Sequence, residues 1–520
     1  MKMVKSLLLG SAAGLVAVAG AQAADLPVKA KAVEYVKVCS AYGAGYYYIP
    51  GTDTCIKIGG YARFDTYVNA VGTFNPMISS PTGTGFNGPG SLNSGYPFRD
   101  ADDPDYLTRV RGTIDFDART QTDYGTLRSY VRFGAEWNSQ TTGGAGSGNG
   151  LYFERAFIQF SGFTFGYTQS FFDLGLNYML TTPYAGSNQW TTVAAYTAQF
   201  GNGFSATLAL EDAANRVTGV QYGFASIGGS TPGNPPGAPY TGVTNELAWT
   251  GATYYNAVGG QQAPDIVANL RVDQAWGSAQ LSGALHQVNT ADVSAIAGLG
   301  LPGILGSTDT WGWAIGGGIE IKTPFLAAGD SVFVQAGYAD GALSYLGLSG
   351  TSQGRSQGLG TITLSPLNTY VPGLGVGSGA YAPLADALLS PFGTLEKVSG
   401  WSLQGQFRHY WTPGLRSAIY AGYVSVDVPS FYPGLGVTAS PRGGVYYAPT
   451  DVDMWQVGVN TVWSPVKNLD IAAEVLYSKV ELASPNQYWQ TSTATAPVLD
   501  LSSGTSADIW SGGIRVQRNF

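Results

Sequence analysis

The stretch LTRVRGTIDFDART (residues 107–120), the break QTDY and the stretch GTLRSYVRFGAEW (125–137) decide how this chain folds. In the first arm Arg109, Arg111, Thr113, Asp115, Asp117 and Arg119 share one parity. Val110, Gly112, Ile114, Phe116 and Ala118 share the other. In the second arm Thr126, Arg128, Tyr130, Arg132 and Glu136 alternate with Leu127, Ser129, Val131, Phe133, Ala135 and Trp137. Successive side chains of a strand point to opposite faces, so the stretch predicts a β-hairpin with one charged and one apolar face. Each arm exceeds the roughly 5–6 residues of a common globular strand and matches the roughly 9–11 that a tilted strand needs to cross a bilayer. A soluble sandwich would bury the apolar face against a second sheet, whereas a membrane barrel turns it to lipid and keeps water inside. One hairpin does not separate the two.

The rest of the chain does. Alternating runs recur at 57–70, 107–119, 125–137, 151–161, 162–168, 192–200, 203–212, 265–275, 277–287, 311–322, 330–339, 400–411, 415–426, 452–463, 469–480 and 508–520. They number sixteen, and bacterial barrels require an even count. Their connections are short and long by turns. QTDY, Gly162, Gly201-Asn202, Trp276-Gly277, TPFLAAG (323–329), Thr412-Pro413-Gly414 and Pro465 to Asn468 are tight turns. Between them lie Gly/Ser/Pro/Asn-rich excursions at 71–106, 138–150, 169–191, 213–264, 288–310, 340–399, 427–451 and 481–507. Soluble domains rarely carry structureless loops above about 12–15 residues, but a transmembrane barrel alternates short periplasmic turns with long extracellular loops. The expected fold is all-β, a 16-stranded antiparallel transmembrane β-barrel.

Other features agree. Lys2 and Lys5, an apolar run from Leu7 to Val18 and Ala21-Gln22-Ala23 form the three regions of a secretory signal peptide, expected at 1–23. Residues 24–56 read as a periplasmic N-terminal segment, and 57–520 as the barrel. Cys39 and Cys55 are the only cysteines; in an exported chain they read as one disulfide closing a short loop. Charged residues are 12% of the chain and aromatic residues 13%, which excludes an acidic disordered protein. A net charge of −8 leaves no basic surface for nucleic acid. Trp137, Tyr152, Trp276, Trp313, Trp401, Trp411, Trp455, Trp463, Tyr477 and Trp510 fall at strand ends, where amphipathic rings suit the lipid–water boundary. The last run, DIWSGGIRVQRNF, ends on Phe520 and is expected to close against 57–70, leaving no free edge in the bilayer.

The segments ADLPVKAKAVEYVKVCSAYGAGYYYIPGTDTCIKIGGYARFD (24–65), the hairpin quoted first, ERAFIQFSGFTFGYTQSFFD (154–173) and IRVQRNF (514–520) resemble the alphaproteobacterial general porins of rhizobia, bradyrhizobia and brucellae. The resemblance spans nearly the whole chain after residue 23. It implies a homotrimer in the Gram-negative outer membrane, among its lipids, letting small hydrophilic solutes diffuse through a water-filled channel. It also implies that Phe520 is an assembly signal for the barrel-insertion machinery. In porins the third long loop folds inward to narrow the pore. Here that loop is 169–191, with Asp173 its only acid, and Tyr178 among the aromatics that can pack it against the wall.

Opposite it the inward parity carries Arg63, Arg109, Arg111, Arg128, Arg132 and Arg155, because an arginine facing lipid at the midplane costs about 2–4 kcal/mol. Asp65, Asp115, Asp117 and Glu136 share that parity. Two readings follow. Either a basic wall faces an acidic loop and sets a transverse field, so that neutralising Arg109 and Arg132 changes ion selectivity, or the charges pair among themselves. Catalysis is not expected. The two histidines, His286 on an inward parity and His409 on an outward one, lack an evident Ser and carboxylate partner, and no metal-ligand or phosphate-loop pattern is present. No cofactor is implied. Residues 24–56 are too few for the plug of an energised transporter. A sugar-selective channel is the alternative to a general one.

Overall fold

The computed structural model describes residues 37–71, 75–76, 106–139, 148–181, 183–223, 254–256, 258–291, 307–348, 361–364, 380–389, 394–429, 451–482, 489–491, 497–499 and 506–520. The expected signal peptide at 1–23 lies outside them, as do much of the loops 213–264 and 340–399. Contacts divide the chain into one unit ending at Ile56 and a second spanning Lys57–Phe520.

In the first unit a disulfide joins Cys39 to Cys55, with both cysteines and Tyr46 buried. Tyr47–Tyr48 pairs antiparallel with Cys55 and Ile56, and Tyr42 packs beside Tyr46. Among the described residues of this unit the buried apolar cluster is Cys39, Tyr46 and Cys55 with Tyr42 and Tyr48 packed on it, so the crosslink sits at its centre. Closing a loop of this length is worth about 3 kcal/mol on the chain-entropy model. Reduction with dithiothreitol is therefore expected to expose residues 37–56 to limited proteolysis while the barrel bands persist.

The second unit is a closed cylinder of sixteen antiparallel strands. They are β1 (Cys55–Val68, beginning in the first unit), β2 (Tyr106–Thr122), β3 (Gly125–Asn138), β4 (Gly148–Phe160), β5 (Phe163–Gln169), β6 (Trp190–Gly201), β7 (Phe204–Glu211) and β8 (Asp265–Gln274). The circuit continues with β9 (Gly277–Asn289), β10 (Asp309–Lys322), β11 (Ser331–Asp340), β12 (Ser399–Thr412), β13 (Leu415–Asp427), β14 (Val452–Val466), β15 (Leu469–Leu482) and β16 (Ser506–Asn519). Each pairs with the next, and β16 returns to β1 from Tyr61↔Asn519 to Val68↔Gly512. Each strand thereby has a neighbour on both sides and the sheet has no end strand, as a bilayer demands. Among the described residues no helix is long and apolar enough to cross a membrane. At the β6–β7 turn Asn202 and Gly203 have φ of 49° and 74°, the two positive angles of a tight hairpin. A Cβ on Gly203 would meet the Asp273 carbonyl oxygen at 1.9 Å, so only glycine fits.

The faces are inverted relative to a soluble protein. Ile114 is 42% exposed and Val459 50%, while Asp115 is 9% exposed on the inside. Around the loop-side rim, Trp313, Tyr338, Trp401, Tyr423, Trp455, Tyr477 and Trp510 lie on seven consecutive strands, β10 to β16. Successive ring contacts within that row are 4.9–5.4 Å between centroids. Tyr152 is a correction to the expected girdle. Glu154 is left out of the β3–β4 register, which shifts between Arg132 and Phe133, and the ring of Tyr152 lies under the Arg111 guanidinium at 4.6 Å on the inner face.

The inner face is not uniformly wet. At the loop end Val424, Val426, Val452, Met454 and Val480 point inward and are buried against Leu343, Tyr345, Leu346, Leu348, Leu384, Leu388 and Val398. The described parts of the loop between β11 and β12 thus fold into the mouth. A four-stranded sheet of Val220–Gly223, Tyr254–Asn256, Ala387–Leu389 and Leu395–Lys397 orders the same region.

Candidate functional site

The wall of β1–β4 and β16 assembles charges in cross-strand pairs. Asp115 stands directly opposite Arg132, and their side chains meet at 2.8 Å. Glu136 stands opposite Arg111 and accepts its Nε–H at 2.8 Å. Asp117 takes Arg119 at 2.8 Å and Arg128 at 2.9 Å. Opposed charges at this spacing support sheet pairing, and bidentate guanidinium contacts fix each side chain. Of the two readings that the sequence left open, pairing among neighbours describes these residues.

Arg109 departs from its expected position on the pore surface: it is 1% exposed. Asp65 explains this. Its fully buried carboxylate draws in Arg63 at 3.1 Å, Arg109 at 3.0 Å and Arg515 at 2.6 Å, one guanidinium from each of three neighbouring strands. Arg63 also lies over the Tyr61 ring and Arg109 over that of Tyr67. Arg109 thus lies beneath the wall's surface, while Arg63 and Arg515 keep a small exposure. Arg111, Arg128 and Arg132 keep partial exposure. Arg155 lies 5.6 Å over the Trp190 ring.

The segment 170–189, between β5 and β6, runs against the inner side chains of the opposite strands. Asn269 of β8 donates to the Phe171 carbonyl at 2.6 Å, and Gln280 of β9 to that of Phe172 at 3.1 Å. The Tyr178 hydroxyl donates to Glu320 of β10 at 2.7 Å, and its amide to Gln406 of β12 at 2.7 Å. The amides of Leu180 and Thr181 donate to Glu474 of β15 at 2.6 and 2.9 Å, and that of Tyr184 to Gln456 of β14 at 2.9 Å. Inward-facing amides and carboxylates therefore satisfy the backbone of a segment that has no strand of its own.

Asp173 departs from the acidic surface expected of it. It is buried and accepts from the Gln189 amide at 2.6 Å and from the Ser187 hydroxyl, with Arg216 at 3.3 Å. Arg216 is fully buried, donates to Ser187 at 2.7 Å and lies 4.0 Å over the Tyr345 ring. The charge of Asp173 is met by Arg216, from beyond β7, rather than turned toward the basic wall. Sequence reasoning missed Arg216, Glu474, Gln456 and Gln406. The last three sit within alternating strands, and nothing local marked them as anchors.

Both histidines have carboxylate partners that the sequence did not pair with them. His286 Nδ1 is 2.7 Å from Asp265, which also accepts from the Tyr345 hydroxyl at 2.6 Å, all within the buried mouth. His409 Nδ1 is 2.6 Å from Asp330, beside Trp411 at the outer turn end. Among the described residues no group of His, Cys, Asp and Glu is arranged to hold a metal ion.

A family model described as "Porin subfamily" matches residues 25–504. The chain is 31% identical over 342 residues to Porin Omp2b of Brucella suis biovar 1, covering 62% of this chain and 82% of that protein. It is 31% identical over 363 residues to Porin Omp2a of Brucella canis, covering 65% of this chain and 85% of the other. The crystal structure of the outer membrane channel DcaP of Acinetobacter baumannii superposes with a TM-score of 0.53 at 14% identity, covering 91% of this chain and 99% of that one, which supports the barrel fold.

Proposed function

The chain belongs to the porin subfamily of the outer membrane, and from that premise we propose how its lumen conducts. Small hydrophilic solutes and ions diffuse passively between the half-exposed charges of β2–β4 on one side and the segment 170–189 on the other. One observation supports this most: ionised residues line the inside of a closed cylinder whose outside is aliphatic. Ile114 at 42% exposure and its chain neighbour Asp115 at 9% state the inversion within one dipeptide. Water within is what makes that arrangement affordable.

The wall retains a positive surplus. Arg63, Arg109, Arg111, Arg119, Arg128, Arg132, Arg155 and Arg515 outnumber Asp65, Asp115, Asp117, Glu136 and Glu154 on the same face. We take Arg128 and Arg132, both on the inner face of β3 and each more than a quarter exposed, as the selectivity-bearing pair in place of Arg109. In planar bilayers under a KCl gradient, the double variant Arg128→Gln/Arg132→Gln is expected to shift the reversal potential toward cation preference. An unchanged potential would refute this role. Assembly as a homotrimer and recognition of Phe520 by the insertion machinery are part of the same proposal. Phe520 is exposed, its amide donates to the Gly60 carbonyl at 3.1 Å, and the tip of its ring lies against Gly60 at the closing seam.

A further inference from the structure

Across the β3–β4 wall the inward side chains form three rows in register: Arg128 beside Gln159, Tyr130 beside Phe157, and Arg132 beside Arg155. The middle row is aromatic. Its rings stack with centroids 5.3 Å apart and an interplanar angle of 25°. Tyr61, Tyr67 and Tyr152 on the same wall each lie singly under an arginine; here two rings are stacked on each other across strands. The Arg128 guanidinium reaches over both rings at 5.3 Å while its charge is met by Asp117.

The third row is electrostatically unfinished. Like charges directly opposite each other destabilise a sheet. Arg132 is offset by Asp115 at 2.8 Å and Glu154 at 3.5 Å. Arg155 is not: among the described residues it has no carboxylate within salt-bridge distance and makes no hydrogen bond. Its Nε is buried without a partner, and Trp190 offers it only a ring face. Glu154, its chain neighbour, already receives the Tyr61 hydroxyl at 3.0 Å. A guanidinium presents donors in a planar fork that matches a carboxylate, and this one is unspent.

We propose that this patch is a binding subsite for a planar aromatic carboxylate, the ring lying on Tyr130 and Phe157 and the carboxylate on Arg155. The spacing fits. Rows two residues apart on a strand are separated by about 7 Å, roughly the reach of a benzoate from ring centre to carboxylate oxygen plus one hydrogen bond. The ring gains stacking and the carboxylate a charge-assisted pair, so a solute with both groups is favoured over one with either alone. The subsite rests on the reading of the lumen as a conducting path.

The test is block of single-channel KCl current by benzoate, with acetate, cyclohexanecarboxylate and benzamide as comparators, on the full native channel. Benzoate is expected to reduce the current in a saturable way, at concentrations at least about fivefold below those of any comparator. Arg155→Gln is expected to raise the half-blocking concentration by about tenfold, and Arg155→Lys, which keeps the charge without the fork, by less. Equal block by benzoate and acetate would overturn ring recognition, and equal block by benzoate and benzamide would overturn the role of Arg155. Channels indifferent to benzoate would overturn the subsite and leave the pore standing. Failure to conduct KCl at all would overturn both. The comparison among solutes uses the unmodified protein, so it decides the matter even if the variants do not fold.

Discussion

Arg216→Met is expected to loosen the segment 170–189 and to raise single-channel conductance, with noisier open states than the parent. Arg216 is the cation of a dry pocket at the junction of β7, the segment and the mouth. It meets Asp173 at 3.3 Å and Ser187 at 2.7 Å, and it lies on the Tyr345 ring. Glu211, also fully buried, accepts the Phe171 amide at 2.8 Å in the same region. Methionine fills much of the volume and carries no charge, leaving the buried Asp173 and Glu211 carboxylates without the Arg216 cation. Removing one partner of a buried ion pair costs about 3–5 kcal/mol, more than any single hydrogen bond along the segment supplies. The far end, held by Glu474, Gln456 and Gln406, is expected to stay docked, so the barrel remains folded. Conductance in planar bilayers and the heat-resistant band on gels separate these effects. Arg216→Lys is expected to fall between, since an ammonium restores charge but neither the fork nor the stack. Unchanged conductance in a folded Arg216→Met channel would mean that the segment does not narrow the path.

How much of this was legible in the sequence follows from how far each interaction reaches along the chain. The sixteen strands and their faces were, because alternation and turn chemistry are local. The wall pairs were half legible. Once QTDY is read as the turn, the register puts Asp115 opposite Arg132 and Glu136 opposite Arg111, and only the choice between pairing and exposure remains open. The Asp65 trio was not: Arg515 lies 450 residues away and arrives only through closure of the cylinder. The anchoring of 170–189 was hidden for the same reason, since Leu180 and Glu474 are separated by 294 residues. The apolar inner face at the mouth contradicts the simple rule of a polar lumen. Val424, Met454 and Val480 follow the inward parity yet are greasy, because a folded-in loop covers them. From the strands alone they read as imperfect alternation.

The membrane reading itself makes the sharpest demand. Val459→Arg is expected to destabilise the folded barrel by about 2–4 kcal/mol, while Gln517→Arg is expected to stay within about 0.5 kcal/mol of the parent. Val459 is the eighth of the fifteen residues of β14, pointing outward between Ile419 and Val475, both more than 45% exposed. At mid-strand neither boundary is within easy reach of an arginine stem, so the guanidinium cannot snorkel fully to water. Gln517 lies on the inner side of β16, hydrogen-bonded to Asn519 at 2.8 Å and lining a recess with Arg416, Asp470 and Arg515. A further cation there stays hydrated, with Asp470 opposite it on β15 offsetting Arg63 opposite it on β1. Urea unfolding in lipid vesicles, followed by tryptophan emission and the heat-resistant band, measures both. The two substitutions introduce the same group into one sheet, at mid-strand on the outer face in one case and near the strand end on the inner face in the other, so their difference reads chiefly the medium that each face meets. Should Gln517→Arg prove the costlier, the solvent assignments of the two faces would be reversed, and with them every argument that places water inside.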